Sequence, residues 1–143
     1  MDEIYHQALK LLRRRDYTTA QLREKLTGKF GEVPQQTIEA LQKKRFLDDA
    51  RYAANFVKKS PESHPTRVRD ELLASGVSAE IIDRAIADHD WPSLQHIVRA
   101  KMNDWKLHAP IQRKELGRLY RALARLGYPE DEIREELEQL HEQ

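Results

Sequence analysis

A helical apolar pattern in this chain repeats at long range. Val68, Leu72, Gly76, Val77, Ile82 and Ile86 return fifty-one residues later as Leu119, Leu123, Gly127, Tyr128, Ile133 and Leu137. Leu22, Leu26, Val33 and Ile38 match Val68, Leu72, Val77 and Ile82 once two extra residues are allowed in the Thr27–Glu32 turn. Chance similarity between amphipathic helices is the competing explanation. It accounts for apolar spacing but not for a glycine that keeps register with it. Alternation of period two is absent over any useful length, so the expected fold is all-α. The unit is three helices, seen three times, at residues 1–46, 47–90 and 91–143. Such repeats bury a stripe against each neighbour. Three tandem three-helix repeats forming an elongated, curved array are therefore expected.

Local signals place the helices. Thr18 and Gln21 read as a capping box ahead of Leu22 and Leu26. Pro34, Pro65, Pro92, Pro110 and Pro129 each suit a first helical position, where the missing N–H costs nothing. Gly76 and Gly127 each follow a helical run and suit a left-handed position just past its end. Ser78 is placed to cap a run that should bury Ile81, Ile82, Ala85 and Ile86. Helices are predicted at about 2–15, 19–28, 34–45, 49–59, 65–75, 79–89, 92–106, 110–126 and 129–140.

Charge is segregated rather than balanced. The formal net charge is +1 with 34% of residues charged. Residues 1–60 carry thirteen basic and eight acidic side chains, and 61–96 carry three and seven. Residues 97–128 carry eight and two, and 129–143 one and seven. Basic blocks of this kind suit an anionic partner. With no cysteine, disulfides and thiolate zinc sites are excluded. Met1-Asp2-Glu3 and the amphipathic stretch after it lack a signal-peptide pattern, and no apolar run reaches the ~20 residues of a membrane span. A cytoplasmic protein with no membrane partner is expected.

The densest local signal runs from Phe46 to Val57: Phe-Leu-Asp-Asp-Ala-Arg-Tyr-Ala-Ala-Asn-Phe-Val. Asp48 or Asp49 can accept bonds from the free N–H groups of a helix start, and Tyr52, Phe56 and Val57 then share a face. Elsewhere stand Ala8-Leu9-Lys10-Leu11-Leu12-Arg13 with Thr19–Leu26, then Arg67-Val68-Arg69-Asp70-Glu71-Leu72 with Gly76-Val77, then Leu119–Tyr128 ending in Gly-Tyr. In order and spacing these four pieces resemble the RecX family of bacterial recombinase modulators, over nearly all of the chain. Ser63-His64-Pro65-Thr66 stands where many relatives place a glycine, and Leu126 rather than arginine precedes Gly-Tyr. The resemblance implies tandem three-helix repeats and a non-enzymatic regulator in recombination, DNA repair and the SOS response. It implies binding along the groove of the RecA filament, with inhibition of RecA's ATPase, coprotease and strand-exchange activities, and binding of single- or double-stranded DNA.

Three basic clusters could meet such a partner: Arg13, Arg14 and Arg15; Lys43, Lys44 and Arg45 with Arg51; and Arg113 and Lys114 with Arg118, Arg121 and Arg125. The last three are spaced to share one helical face. Arg67 and Arg69 join the candidates, with Asp70, Glu71 and the acids of the following helix as alternative partners. The bland reading of every cluster is a solvated face, and the first two fall near helix C-termini, where cations are favourable anyway. The acids of Glu130–Glu136 suit a helix start. Trp91 and Trp105 could stack on bases, against burial in the third unit. The six histidines show no metal-ligand spacing, and no nucleophile elbow, P-loop or dinucleotide loop is present. No catalysis, cofactor, metal or small-molecule substrate is expected, and a monomer is. The alternative function is a general nucleic-acid-binding helical array acting by competition for DNA.

Overall fold

The computed structural model describes residues 3–141, so the expected helix start at residue 2 and repeat ends at 1 and 143 lie outside the described residues. The elements are α1 (Glu3–Arg14), α2 (Thr19–Phe30), α3 (Gln35–Lys43), α4 (Asp49–Lys58), α5 (Pro65–Ala74), α6 (Ala79–Ala87), α7 (Leu94–Asp104), α8 (Arg113–Arg125) and α9 (Glu130–His141). No strand occurs among the described residues. The chain divides into two compact units, Met1–Lys59 with Arg69–His89, and Ser60–Val68 with Asp90–Gln143.

In the first unit, Ala8, Tyr17, Leu22, Leu26, Val33, Ile38, Leu41 and Leu47 form one buried cluster. In the second, Ile97, Val98, Ile111, Leu119, Leu123, Tyr128, Ile133 and Leu137 do the same. The pairs Leu22/Leu26, Val68/Leu72 and Leu119/Leu123 are all fully buried, each two residues one helical turn apart.

Two joints share an acceptor position, though not the donor group. Thr18 caps α2: its Oγ1 accepts from Gln21 N at 3.0 Å, while Gln21 Oε1 accepts from Thr18 N at 3.0 Å. The same hydroxyl donates its proton to the Ser75 carbonyl at 2.5 Å. In the second unit, His64 stands just ahead of α5 and its N–H donates to the Leu126 carbonyl at 2.8 Å. Thr18 corresponds to His64 as Leu22 does to Val68, and Ser75 to Leu126 as Gly76 does to Gly127. A helix start thus rests each time on the carbonyl before an equivalent glycine.

Those glycines do two things. Val77 N bonds Leu72 O and Gly76 N bonds Leu73 O; Tyr128 N bonds Leu123 O and Gly127 N bonds Ala124 O. Both helix ends are Schellman motifs, with φ of 88° at Gly76 and 96° at Gly127,. Arg45 (φ 62°) and Lys106 (φ 58°) hold the same place after α3 and α7. The turn alone therefore accepts a side chain. At Gly76 a Cβ would stand 2.3 Å from Ala20 Cβ, and at Gly127 2.7 Å from Arg67 Cβ. Close approach, added to the left-handed backbone, is what demands glycine there.

The two acids of the Phe46–Val57 block have separate tasks. Asp48 caps its own helix, accepting from Arg51 N at 3.0 Å. Asp49 accepts from Thr19 N at 2.8 Å and from the Thr19 hydroxyl at 3.0 Å, so it caps α2 from thirty residues away. Asp48→Ala should cost about 0.5–2 kcal/mol. Asp49→Ala should cost about 1–3 kcal/mol, because it strands a half-buried N–H. Urea unfolding measures both, and partner binding should weaken only as far as folding does. A variant that melts like the parent but loses binding would show that the acid touches the partner.

Some expectations are corrected. Only Pro65 opens a helix at its first position; Pro34 and Pro129 stand one residue before α3 and α9. Pro92 precedes Ser93, whose Oγ accepts from His96 N at 3.1 Å and starts α7 instead. Pro110 lies outside α8 because Ile111 is buried and its N–H donates to Leu140 O at 3.3 Å. Ser78 does cap α6, but only Ile82 is fully buried; Ile81, Ala85 and Ile86 are half-buried. Trp91 and Trp105 are also half-buried rather than fully enclosed.

Candidate protein and nucleic-acid interface

α8 buries Leu119 and Leu123 and turns its arginines outward. The Arg118 guanidinium lies over Trp105, 3.8 Å from the ring centroid, with Glu115 Oε2 at 3.8 Å. That exposed ion pair contributes little; the stack on the ring fixes the side chain more firmly. Arg121 and Arg125 are exposed, and no carboxylate among the described residues pairs with either. α9 spends one acid internally, Glu130 pairing with Arg134 one turn on. Arg113 and Lys114 are exposed at the start of α8. Nearby, burial first, then the carboxylates of Glu132 and Glu62, push the Tyr128 phenol above its ordinary range. It therefore stays neutral where its ring meets the His64 ring edge-on at 5.1 Å.

The first-unit clusters are exposed throughout but divide into cations with and without a described partner. Arg13, Arg14 and Lys43 are exposed at the ends of α1 and α3. Arg15 stacks on Tyr17 at 4.3 Å, and its Nε donates to Asp16 O at 3.2 Å. Lys44 Nζ lies 6.0 Å from the Tyr5 ring centroid. Arg51 points back along the chain, donating to Arg45 O at 2.9 Å and Phe46 O at 3.4 Å. It thereby closes the turn whose left-handed residue is Arg45. Arg69 forms an ion pair with Asp83 of α6, one of the acids expected to compete for it. Arg67 packs its Cβ against Gly127.

The fold also gathers cations that form no basic run in the sequence. Lys25 and Lys29, one turn apart on α2, join Arg15, Tyr17, Gln21, Glu24 and Gly28 around an open concavity of about 700 Å³. Their helical spacing was the available signal. Neither belongs to a run of basic residues, and Arg15 meets them only in the folded chain. Among the described residues no group of three His, Cys, Asp or Glu side chains could hold a metal ion. No described helix is long and apolar enough to cross a membrane.

No protein-family model matches the chain. It is similar to the regulatory protein RecX of Trichlorobacter lovleyi, 35% identical over 143 residues, covering 93% of this chain and 92% of that one. The regulatory protein RecX of Halorhodospira halophila is 33% identical over 134 residues, covering 89% and 81%. The chain belongs to the RecX family of regulatory proteins. The crystal structure of RecX from Lactobacillus salivarius shares the fold, with a TM-score of 0.67 at 17% identity over 96% of this chain and 94% of that one. Within a RecX chain, the exposed Arg13, Arg14, Lys43, Arg121 and Arg125, which no described carboxylate pairs with, and the committed Arg51 and Arg69 are physically distinct sets.

Proposed function

We propose that this RecX-family chain binds the RecA nucleoprotein filament and inhibits its ATPase, coprotease and strand-exchange activities. The observation that carries the reading is the α8 row of Arg121 and Arg125, exposed and unmatched by any described carboxylate, with Arg118 held beside it. A filament presents phosphates and carboxylates, and clustered guanidiniums bind both as charge-assisted forks. The protein acts in the cytoplasm as a monomeric regulator with no chemistry or cofactor of its own. Residues 1–46, 47–90 and 91–143 serve as three repeats, a partition supported by the recurring joint at Ser75 and Leu126.

The test is RecA-dependent ATP hydrolysis on single-stranded DNA, titrated with this protein far below DNA saturation. Strong inhibition is expected. Inhibition only at stoichiometric DNA coverage would instead favour competition for DNA. That second reading is supported by Trp105, half-buried and stacked beneath Arg118 at 3.8 Å, because ring–guanidinium pairs also receive bases.

A further inference from the structure

The turn between α3 and α4 displays an aromatic ring. Among the described residues Phe46 and Leu73 are the exposed large apolar side chains, Phe46 at 44%. The Phe46 backbone is held at both ends: its N–H bonds Leu41 O at 3.0 Å, and its carbonyl accepts from Arg51 Nη2 at 3.4 Å. Leu47, the next residue, is buried. In a Schellman end the residue after the left-handed one usually folds onto its own helix. Phe46 instead lines a cavity of about 220 Å³ with Leu9, Leu12, Arg13, Arg45 and Arg51.

The lining is three apolar side chains and three guanidiniums, with no acid. Arg51 is committed to backbone carbonyls. Arg13 and Arg45 are exposed, and no described carboxylate pairs with them. Leu9 and Leu12 offer nothing to the polar edges of a nucleobase, whereas they and Phe46 suit a branched or aromatic side chain. Two free forks at the mouth suit carboxylates.

We infer that this pocket docks an apolar side chain flanked by carboxylates on a protein partner. Phe46 is the anchor wall, and Arg13 and Arg45 are the clamps. The inference rests on the proposed function only in naming that partner as RecA.

Two variants test it without disturbing the fold. Phe46→Ala removes the wall, and Arg45→Gly removes a clamp while keeping the left-handed turn. Each is titrated against three labelled probes: a RecA filament on single-stranded DNA, the naked 30-nucleotide strand, and the peptide Glu-Glu-Leu-Leu-Glu-Glu. Both variants should bind the filament or the peptide at least about tenfold more weakly, a loss of ~1.4 kcal/mol, with the naked strand within about twofold of the parent. Equal loss on the naked strand would overturn the inference in favour of nucleic acid. Unchanged binding to both filament and peptide would overturn it outright. Peptide binding that needs Phe46, in a parent that ignores the filament, would sink the RecA reading and leave the pocket standing.

Discussion

Gly76→Ala should destabilise the protein by about 3 kcal/mol and lower its melting midpoint by about 10 °C. Two costs add. Alanine at φ 88° carries left-handed strain of about 1–2 kcal/mol. Its Cβ would also stand 2.3 Å from Ala20 Cβ, a rigid neighbour on the first turn of α2 that yields only if the helix moves. Ala20→Gly tests the second term. Alone it should cost about 1 kcal/mol; combined with Gly76→Ala it should recover about 1–2 kcal/mol relative to the sum of the single changes. Thermal and urea unfolding of the four proteins supplies the cycle. Additive effects would mean that α2 does not press on the glycine.

The second large effect is functional. Replacing Arg121 and Arg125 together by glutamate shifts the α8 surface by four charge units and should abolish inhibition of RecA. Filament affinity should fall at least about tenfold, and the logarithmic salt dependence should lose about one unit for each phosphate contact removed. Helicity should hold, because glutamate is also a good helix former. Arg118 is best left in place, since its stack on Trp105 would mix a packing loss with the charge change. Affinity for filament and for DNA, measured at two salt concentrations, decides the matter. Parental values for both, in a folded double variant, would remove α8 from the interface.

Local chemistry made most of the fold readable. The Thr18–Gln21 capping box, the Ser78 cap and the glycines at 76 and 127 all appear where spacing placed them. What escaped was whatever a residue does for a distant one. Thr18 reads as a cap, but nothing near it reveals that its proton goes to Ser75. Asp49 resembles Asp48 in sequence and serves a different helix. Arg45 and Lys106 end helices as glycine would, at positions that a scan for glycine passes by. The basic clusters were visible as charge. Their division into free and committed members was not, because Arg51 finds its carbonyls five and six residues back and Arg69 finds Asp83 fourteen residues on.

The bond from Thr18 to Ser75 also orders events in time. The two residues are separated by 57 positions, roughly 3–11 s of synthesis at ribosomal speed. Until Ser75 emerges, the buried hydroxyl at the start of α2 has no native acceptor, and the carbonyl at Leu126 keeps the N–H of His64 waiting in the same way. Each segment is finished by one made later. A nascent chain that ends between Thr18 and Ser75 carries the start of α2 with its hydroxyl still bound to water, and the native bond forms only when the segment from the second repeat arrives.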